Sequence, residues 1–194
     1  MEKYELTSEF IINIFGIKLF RIKSLVAFAS VTAGELGGYI EKEENLSQSG
    51  NAWLFDNAEA FGNARLFDNA ELSDNARLFD DAVVTDNAVV TGAAFVTGAA
   101  LLTGDAFVSG DAFVTGAAEV LKSTHVLAIG YIGSRDEVTT FFRTKSNLIH
   151  VTCGCFDGSL EEFELAVKNT HAGTKHETTY KLAIELAKAQ IDLD

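Results

Sequence analysis

Residues 50–121 read GNAWLF, DNAEAF, GNARLF, DNAELS, DNARLF, DDAVVT, DNAVVT, GAAFVT, GAALLT, GDAFVS, GDAFVT and GAAEVL, twelve consecutive hexads without an insertion. Alanine holds the third place of every hexad, from Ala52 to Ala118. An aliphatic residue holds the fifth place: Leu54, Ala60, Leu66, Leu72, Leu78, Val84, Val90, Val96, Leu102, Val108, Val114 and Val120. Alternate residues of a strand point to one face, so the third and fifth places look inward together. Places one and two hold Gly, Asp, Asn or Ala, and the first three of these tolerate a tight, left-handed corner. Three short sides with corners between them close a triangle, so the twelve hexads predict four coils, with three hexads to each. Coils stacked at about 4.8 Å give a rod about 19 Å long. The expected fold is mainly β, a parallel β-helix. Its left-handedness rests on likeness to known hexapeptide folds and not on the spacing.

Flanks extend this rod at both ends. Residues 1–49 read as an N-terminal β hairpin and cap. Phe10 to Phe15 is an apolar run, Gly16 a turn, and Ile17 to Phe28 a second strand. Gly37 and Gly38 precede Tyr39 and Ile40, whose side chains can enter the first coil and plug the open prism. Residues 122–194 read as a small α+β domain of three strands and two helices. Val126–Ile132, Val138–Lys145 and Leu148–Cys155 supply the strands. Ser159 with Glu162 is a capping box that opens a helix running to about Asn169. Tyr180, Ala183, Ile184, Ala187 and Ile191 make the apolar stripe of the second. The 194-residue chain has no proline, which suits continuous backbone ladders that cannot spare an N–H.

Places four and six face outward. In the first two coils they hold Trp53, Glu59, Arg65, Glu71 and Arg77, with Phe55, Phe61 and Phe67 at sixth places. In the last two coils they turn apolar, with Val89, Phe95, Leu101, Phe107 and Phe113 on all three sides. A single chain rarely leaves that much apolar surface in water. These five residues are the expected oligomer interface, in a homotrimer, with cover by the chain's own flanks as the alternative.

Charge is also uneven. The net charge is −13, and residues 50–121 hold 11 acids against 2 bases. Asp56, Glu59, Asp68, Glu71, Asp74, Asp80, Asp81 and Asp86 form the candidate partner-binding surface. Such a field repels nucleic acid and anionic membranes and attracts basic protein surfaces, or it serves solubility alone. No apolar stretch is long and uncharged enough to span a membrane, and Lys18, Arg21 and Lys23 interrupt the best candidate. With no secretory signal visible and two cysteines, a cytoplasmic location is expected.

Catalytic readings find little support in the residues. Hexapeptide β-helices include acyltransferases, which use a histidine base on the coil or on a protruding loop. Here the hexads contain neither, and His125, His150, His171 and His176 all follow the coil. Cys153 and Cys155 are one residue apart with His150 on the opposite strand face, so buried thiols are expected rather than zinc ligands. The aspartate corners lack the nine-residue calcium repeat. No metal or cofactor is expected. Arg135, Arg143 and Lys145 form at most a small anion site, or a strand edge guarded by charge.

Beyond the hexads, YELTSEF (residues 4–10), GIKLFRIKSL (16–25), GELGGYIEKEENLSQSGNAW (34–53), IGYIGSRDEVTTFF (129–142) and VTCGCFDGSLEEFELAVKNTH (151–171) resemble a family of proteins of phages and prophages of Gram-positive bacteria. Its most specific segments here are LGGYIEKEENLS and CGCFDGSLEEF. The resemblance supplies no catalytic residues. It implies a likeness to trimeric β-helical anti-CRISPR proteins, and so an inhibitor acting inside the host cell on an RNA-guided type II nuclease. Two other readings stay open. One is a sponge for a nucleotide immune signal, with Trp53 and the Arg135–Lys145 region as candidates; the other is a structural module of the virion.

Overall fold

The structure is a computed structural model and describes residues 2–193. It is mainly β, a parallel β-solenoid of about five turns followed by an antiparallel sheet and two helices. Each hexad contributes one short strand, from Trp53–Leu54 to Glu119–Lys122. Strands three hexads apart stack in parallel, so Trp53 pairs Glu71, Glu71 pairs Val89 and Val89 pairs Phe107. The second face stacks Glu59, Arg77, Phe95 and Phe113, and the third Arg65, Val83, Leu101 and Glu119. Every third-place alanine and fifth-place aliphatic residue is buried in one continuous core. Methyl groups at the corners leave room for the branched side chains on the sides, which is why the alanines never vary.

A further turn precedes the four that the hexads predict. Strand β3 (Leu36–Ile40) pairs in parallel with Glu59–Ala60, and Leu46 bridges Leu66. Ile40 and Leu46 fill the core as fifth-place residues do. The spacing from Ile40 to Ala60 is longer than three hexads, so the turn sits outside the hexad count. Gly37 is needed here for space. A Cβ on it would lie 2.6 Å from the Leu54 carbonyl oxygen and 2.6 Å from the Trp53 ring.

The N-terminal hairpin does more than cap. Strands β1 (Tyr4–Ile12) and β2 (Lys18–Ser24) pair antiparallel, and β2 continues onto β3, so one solenoid face becomes a seven-stranded sheet. Tyr4, Ile22 and Val31 join the solenoid core above the first coil. They cover Trp53, which is fully buried between the edges of Tyr4 and Phe28 and does not face outward as its fourth place predicts. Phe15, in the hairpin turn, lies over Phe61 and Phe79, which stack on each other at 5.0 Å.

At the other end the C-terminal domain closes the prism. Its sheet has four strands, one more than expected: β16 (Val126–Ile132), β17 (Glu137–Arg143), β18 (Ile149–Cys153) and β19 (Phe156–Ser159). Helices α1 (Leu160–His171) and α2 (Lys175–Gln190) pack on it, and α1 opens on the Ser159–Glu162 capping box. Phe142 and Val126 complete the solenoid core. The last coil has no next coil to bond. The Thr140 hydroxyl instead accepts the Phe113 N–H at 3.0 Å, and the Thr152 hydroxyl donates to the Phe113 carbonyl at 2.7 Å. Two threonine side chains stand in for the missing rung.

Candidate functional site

The corners carry the acidic surface, and their geometry follows from backbone conformation. Asp56, Asp68, Asp74, Asp80 and Asp86 all adopt left-handed φ between 54° and 59°, and the glycines at the other corners are also left-handed, between 59° and 73°. Aspartate is among the few residues that tolerate this conformation. Stacking of every third hexad makes three vertical corner columns. One runs Gly50, Asp68, Asp86, Gly104; the next Asp56, Asp74, Gly92, Gly110; the third Gly62, Asp80, Gly98, Gly116.

Each carboxylate is held from the coil below. The Thr85 hydroxyl donates to Asp68 at 2.5 Å and the Thr91 hydroxyl to Asp74 at 2.5 Å, while Thr97 and Thr103 donate to Asp80 and Asp86. The N–H groups of Gly92 and Gly104 add bonds to Asp74 and Asp86 at 3.0 and 3.1 Å. These donors, the hydroxyl first and the amide second, lower the Asp74 and Asp86 pKa below the usual carboxylate value. The run of threonines from Thr85 to Thr103 is thereby explained. Each stands at the sixth place just before the corner stacked under its aspartate.

Beside the carboxylates runs a second ladder, of asparagine amides. Asn51 donates to Asn69 at 2.9 Å, Asn69 to Asn87 at 3.1 Å and Asn87 to Asp105 at 3.2 Å. Asn63 donates to Asp81 at 3.0 Å. The acidic columns are therefore fixed in place, with Asp56, Asp68, Asp74, Asp80, Asp81 and Asp86 all exposed.

Two of the expected acids stand apart. Glu59 is 7% exposed, next to the Arg77 guanidinium at 3.4 Å and in register with Tyr39 of β3, so it is withdrawn from the outer surface. Glu71 is half-buried on the first face.

The five expected interface residues fall on all three faces. Val89 and Phe107 lie on the first, Phe95 and Phe113 on the second, Leu101 on the third. Val89, Phe95 and Leu101 are half-buried within the single chain, whereas Phe107 and Phe113 keep 46% and 39% of their surface exposed. The flanks cover the two ends of the prism and the upper part of the second face.

Other sequence candidates are displaced. Cys155 is exposed in the turn after β18 and its sulfur accepts from Arg135 at 3.4 Å, so it is not a core thiol; Cys153 is half-buried, 3.2 Å from the Thr139 hydroxyl. Gly154, at φ +58°, turns the chain off the strand and breaks the alternation that would bury both. Arg143 is buried and paired with Glu119 at 2.7 Å, so it forms no shared anion site with Arg135 and Lys145. Trp53 is equally closed to a ligand. His125 is buried at the end of the last coil, its Nδ1 accepting the Leu121 N–H at 3.3 Å, and burial lowers its pKa. His150 bonds Asp157, and His171 lies near His176 and Tyr180. Among the described residues no group of three or more His, Cys, Asp or Glu side chains is placed to hold a metal ion. None of the helices among those residues is long and apolar enough to cross a membrane.

A scan against protein-family models finds no match, and a search of curated proteins finds none either.

Proposed function

We infer that the protein acts by binding, and that its acidic corner columns engage the basic surface of a nucleic-acid-handling protein. The observation that carries this reading is the fixed, exposed spacing of the aspartates. Two of the three columns hold a pair of carboxylates one coil pitch apart, about 4.8 Å, and the third holds Asp80. Threonine hydroxyls and glycine amides hold them in place, so little side-chain entropy remains to be lost on contact. Duplex DNA presents about 11 charges over about 19 Å, the length that the four hexad coils span. A rigid acidic rod of this kind competes for a positively charged channel.

The segments resembling phage and prophage proteins narrow the partner. The protein is proposed to be a phage-borne inhibitor of an RNA-guided type II nuclease, active as a homotrimer in the host cytoplasm, that blocks target DNA engagement. The test measures binding of the purified chain to guide-loaded nuclease over a range of salt concentrations. Affinity is expected to fall steeply as salt rises. The Asp74→Asn/Asp80→Asn/Asp86→Asn variant is expected to bind about tenfold more weakly. Absence of binding to any defence nuclease, or salt-independent binding, would refute the reading.

A further inference from the structure

Residues 10–17 read FIINIFGI, with no charge among them, and they make the free end of the N-terminal hairpin. Phe10, Ile12, Ile14 and Phe15 keep 51%, 59%, 70% and 50% of their surface exposed. Nowhere else among the described residues do exposed large apolar side chains fall so close together in sequence.

The strand that carries them is also an edge. β1 is outermost in the seven-stranded sheet and pairs only with β2. Two bonds fix the direction of its backbone groups. The Leu25 N–H donates to the Lys3 carbonyl at 2.9 Å, and the Asn13 N–H to the Ile17 carbonyl at 3.0 Å. Residues of an antiparallel strand alternate between bonding a neighbour and facing away from it. With Tyr4 opposite Ser24 and Ile12 opposite Lys18, the N–H and C=O groups of Tyr4, Phe10 and Ile12 therefore point away from β2. Tyr4 confirms the alternation, because the Gln48 amide accepts its N–H at 3.3 Å and donates to its carbonyl at 3.2 Å. Among the described residues nothing takes up the outer groups of Phe10 and Ile12. A register shift between Leu6 and Phe10 divides the strand, so the open edge is the short apolar half. Such edges are ordinarily blunted by a lysine or proline of their own, and this one has neither.

We propose that a second copy of the chain adds to this edge, the two β1 strands running antiparallel about a two-fold axis through Ile11. Phe10 then lies opposite Ile12 of the partner subunit, and the pair exchanges both backbone bonds. Within each hairpin Phe10 lies opposite Phe20, so Phe20, Phe10 and Ile12 of the partner subunit form one apolar row across the seam. Lys18 flanks the row, its ammonium 4.0 Å from the Phe10 ring and 4.7 Å from the Phe20 ring. Glu9 falls opposite Asn13 of the partner subunit, so no like charges meet. An axis at Ser8 instead sets Glu5 opposite Ile11 and puts the register shift in the seam. The match at Ile11 comes from the strand's own sequence, which favours a second copy over an unrelated strand.

The exposed fractions leave roughly 100 Å² free on each of the apolar residues, so two copies bury about 800 Å² of apolar surface there, before the backbone is counted. With the backbone edges added, this reaches the range of weak, transient interfaces, below about 1,200 Å² in total. The contact is therefore concentration-dependent. It lies at the opposite end of the rod from Phe107 and Phe113, and it joins chains whether or not those residues assemble a trimer.

The test follows the mass of the full chain by sedimentation, and its amide hydrogen exchange by nuclear magnetic resonance, across a range of concentrations. The mass is expected to double as concentration rises through the micromolar range. In the assembled form the Phe10 and Ile12 amides are expected to exchange at least about tenfold more slowly. Ile12→Pro removes an N–H that β2 does not use, so it is expected to keep the fold and lose the doubling. Ile12→Lys, at an exposed position, is expected to do the same by placing a charge in the seam. Circular dichroism checks that each variant is folded. No doubling at millimolar concentration, or doubling that persists in folded Ile12→Lys, overturns the proposal. Doubling with unprotected Phe10 and Ile12 amides places the contact elsewhere and overturns it too.

Discussion

Tyr4→Ala tests whether the hairpin is an integral lid on the solenoid. Tyr4 is 1% exposed, packs edge-on to Trp53 at 6.2 Å, and its hydroxyl donates to the Leu46 carbonyl at 2.7 Å. A buried aromatic ring removes about 150–250 Å² from water, which at about 25 cal/mol per Å² is about 4–6 kcal/mol as an upper bound. Measured ring-to-alanine losses of about 3–5 kcal/mol include relaxation of the site, and that range is the expectation here. Trp53 is the only tryptophan in the chain, so its emission reports on the lid alone. The wild-type indole is fully buried with an unbonded N–H, and its emission is expected at short wavelength. In the variant, denaturant titration should move the emission to the red before far-ultraviolet dichroism is lost, since a stacked array unfolds from an end. Tyr4→Phe keeps the ring and strands the Leu46 carbonyl, for a loss of about 1–3 kcal/mol. An unchanged emission maximum in Tyr4→Ala, with a loss under about 1 kcal/mol, would mean that the hairpin rests on the coil without closing it.

Other consequences follow from particular contacts. Lys3 is buried with its ammonium on the Ala52 carbonyl, and burial lowers its pKa from 10.5 to about 8. Between pH 8 and about 10 the unfolded chain then binds more protons than the native one, so stability should rise with pH in that window. Above about 10 the rise should reverse, because burial pushes Tyr4 and Tyr180 upward and the folded state keeps their protons. Denaturation midpoints read from Trp53 check both limbs, and Lys3→Met should flatten the first. Asp74 and Asp86 have depressed pKa values, so their contribution is present above the ordinary carboxylate range and disappears as pH falls through their folded values. Thr91→Val/Thr103→Val should shrink that acid-side loss, measured by thermal melting from neutral pH downward. Phe142→Ala opens a cavity where the C-terminal sheet meets the last coil, and should cost about 3–5 kcal/mol by denaturant titration.

The solenoid was legible because its sequence repeats by translation. An alanine and an aliphatic residue at fixed places, twelve times, leave little choice of core. The extra turn was not, because its offset from the first hexad coil breaks the count and Ile40 and Leu46 are its only core signatures. Outward positions were read correctly only where nothing else in the chain lies over them. Trp53 and Glu59 occupy fourth places like Phe107 and Phe113, yet Trp53 is buried under Tyr4 and Phe28 and Glu59 beside Arg77 and β3, while the other two stay exposed. Periodicity assigns a face, but only long-range contacts decide what covers it. The same limit explains Arg143, whose partner Glu119 lies in a different segment of the chain.

The candidate site gives this division a practical use. The corner aspartates have two roles in one side chain, since the oxygen bonded to threonine and glycine fixes the corner while the charge faces solvent. Replacing them by alanine would disturb both, because alanine tolerates left-handed φ poorly and leaves the threonine hydroxyl without an acceptor. Asparagine keeps the conformation and one acceptor oxygen while removing the charge. Asp74→Asn/Asp80→Asn/Asp86→Asn should therefore melt within a few degrees of wild type while losing binding to a basic partner. If that variant unfolds instead, the carboxylate charge is itself part of the corner, and the acidic columns are explained by the fold without any partner.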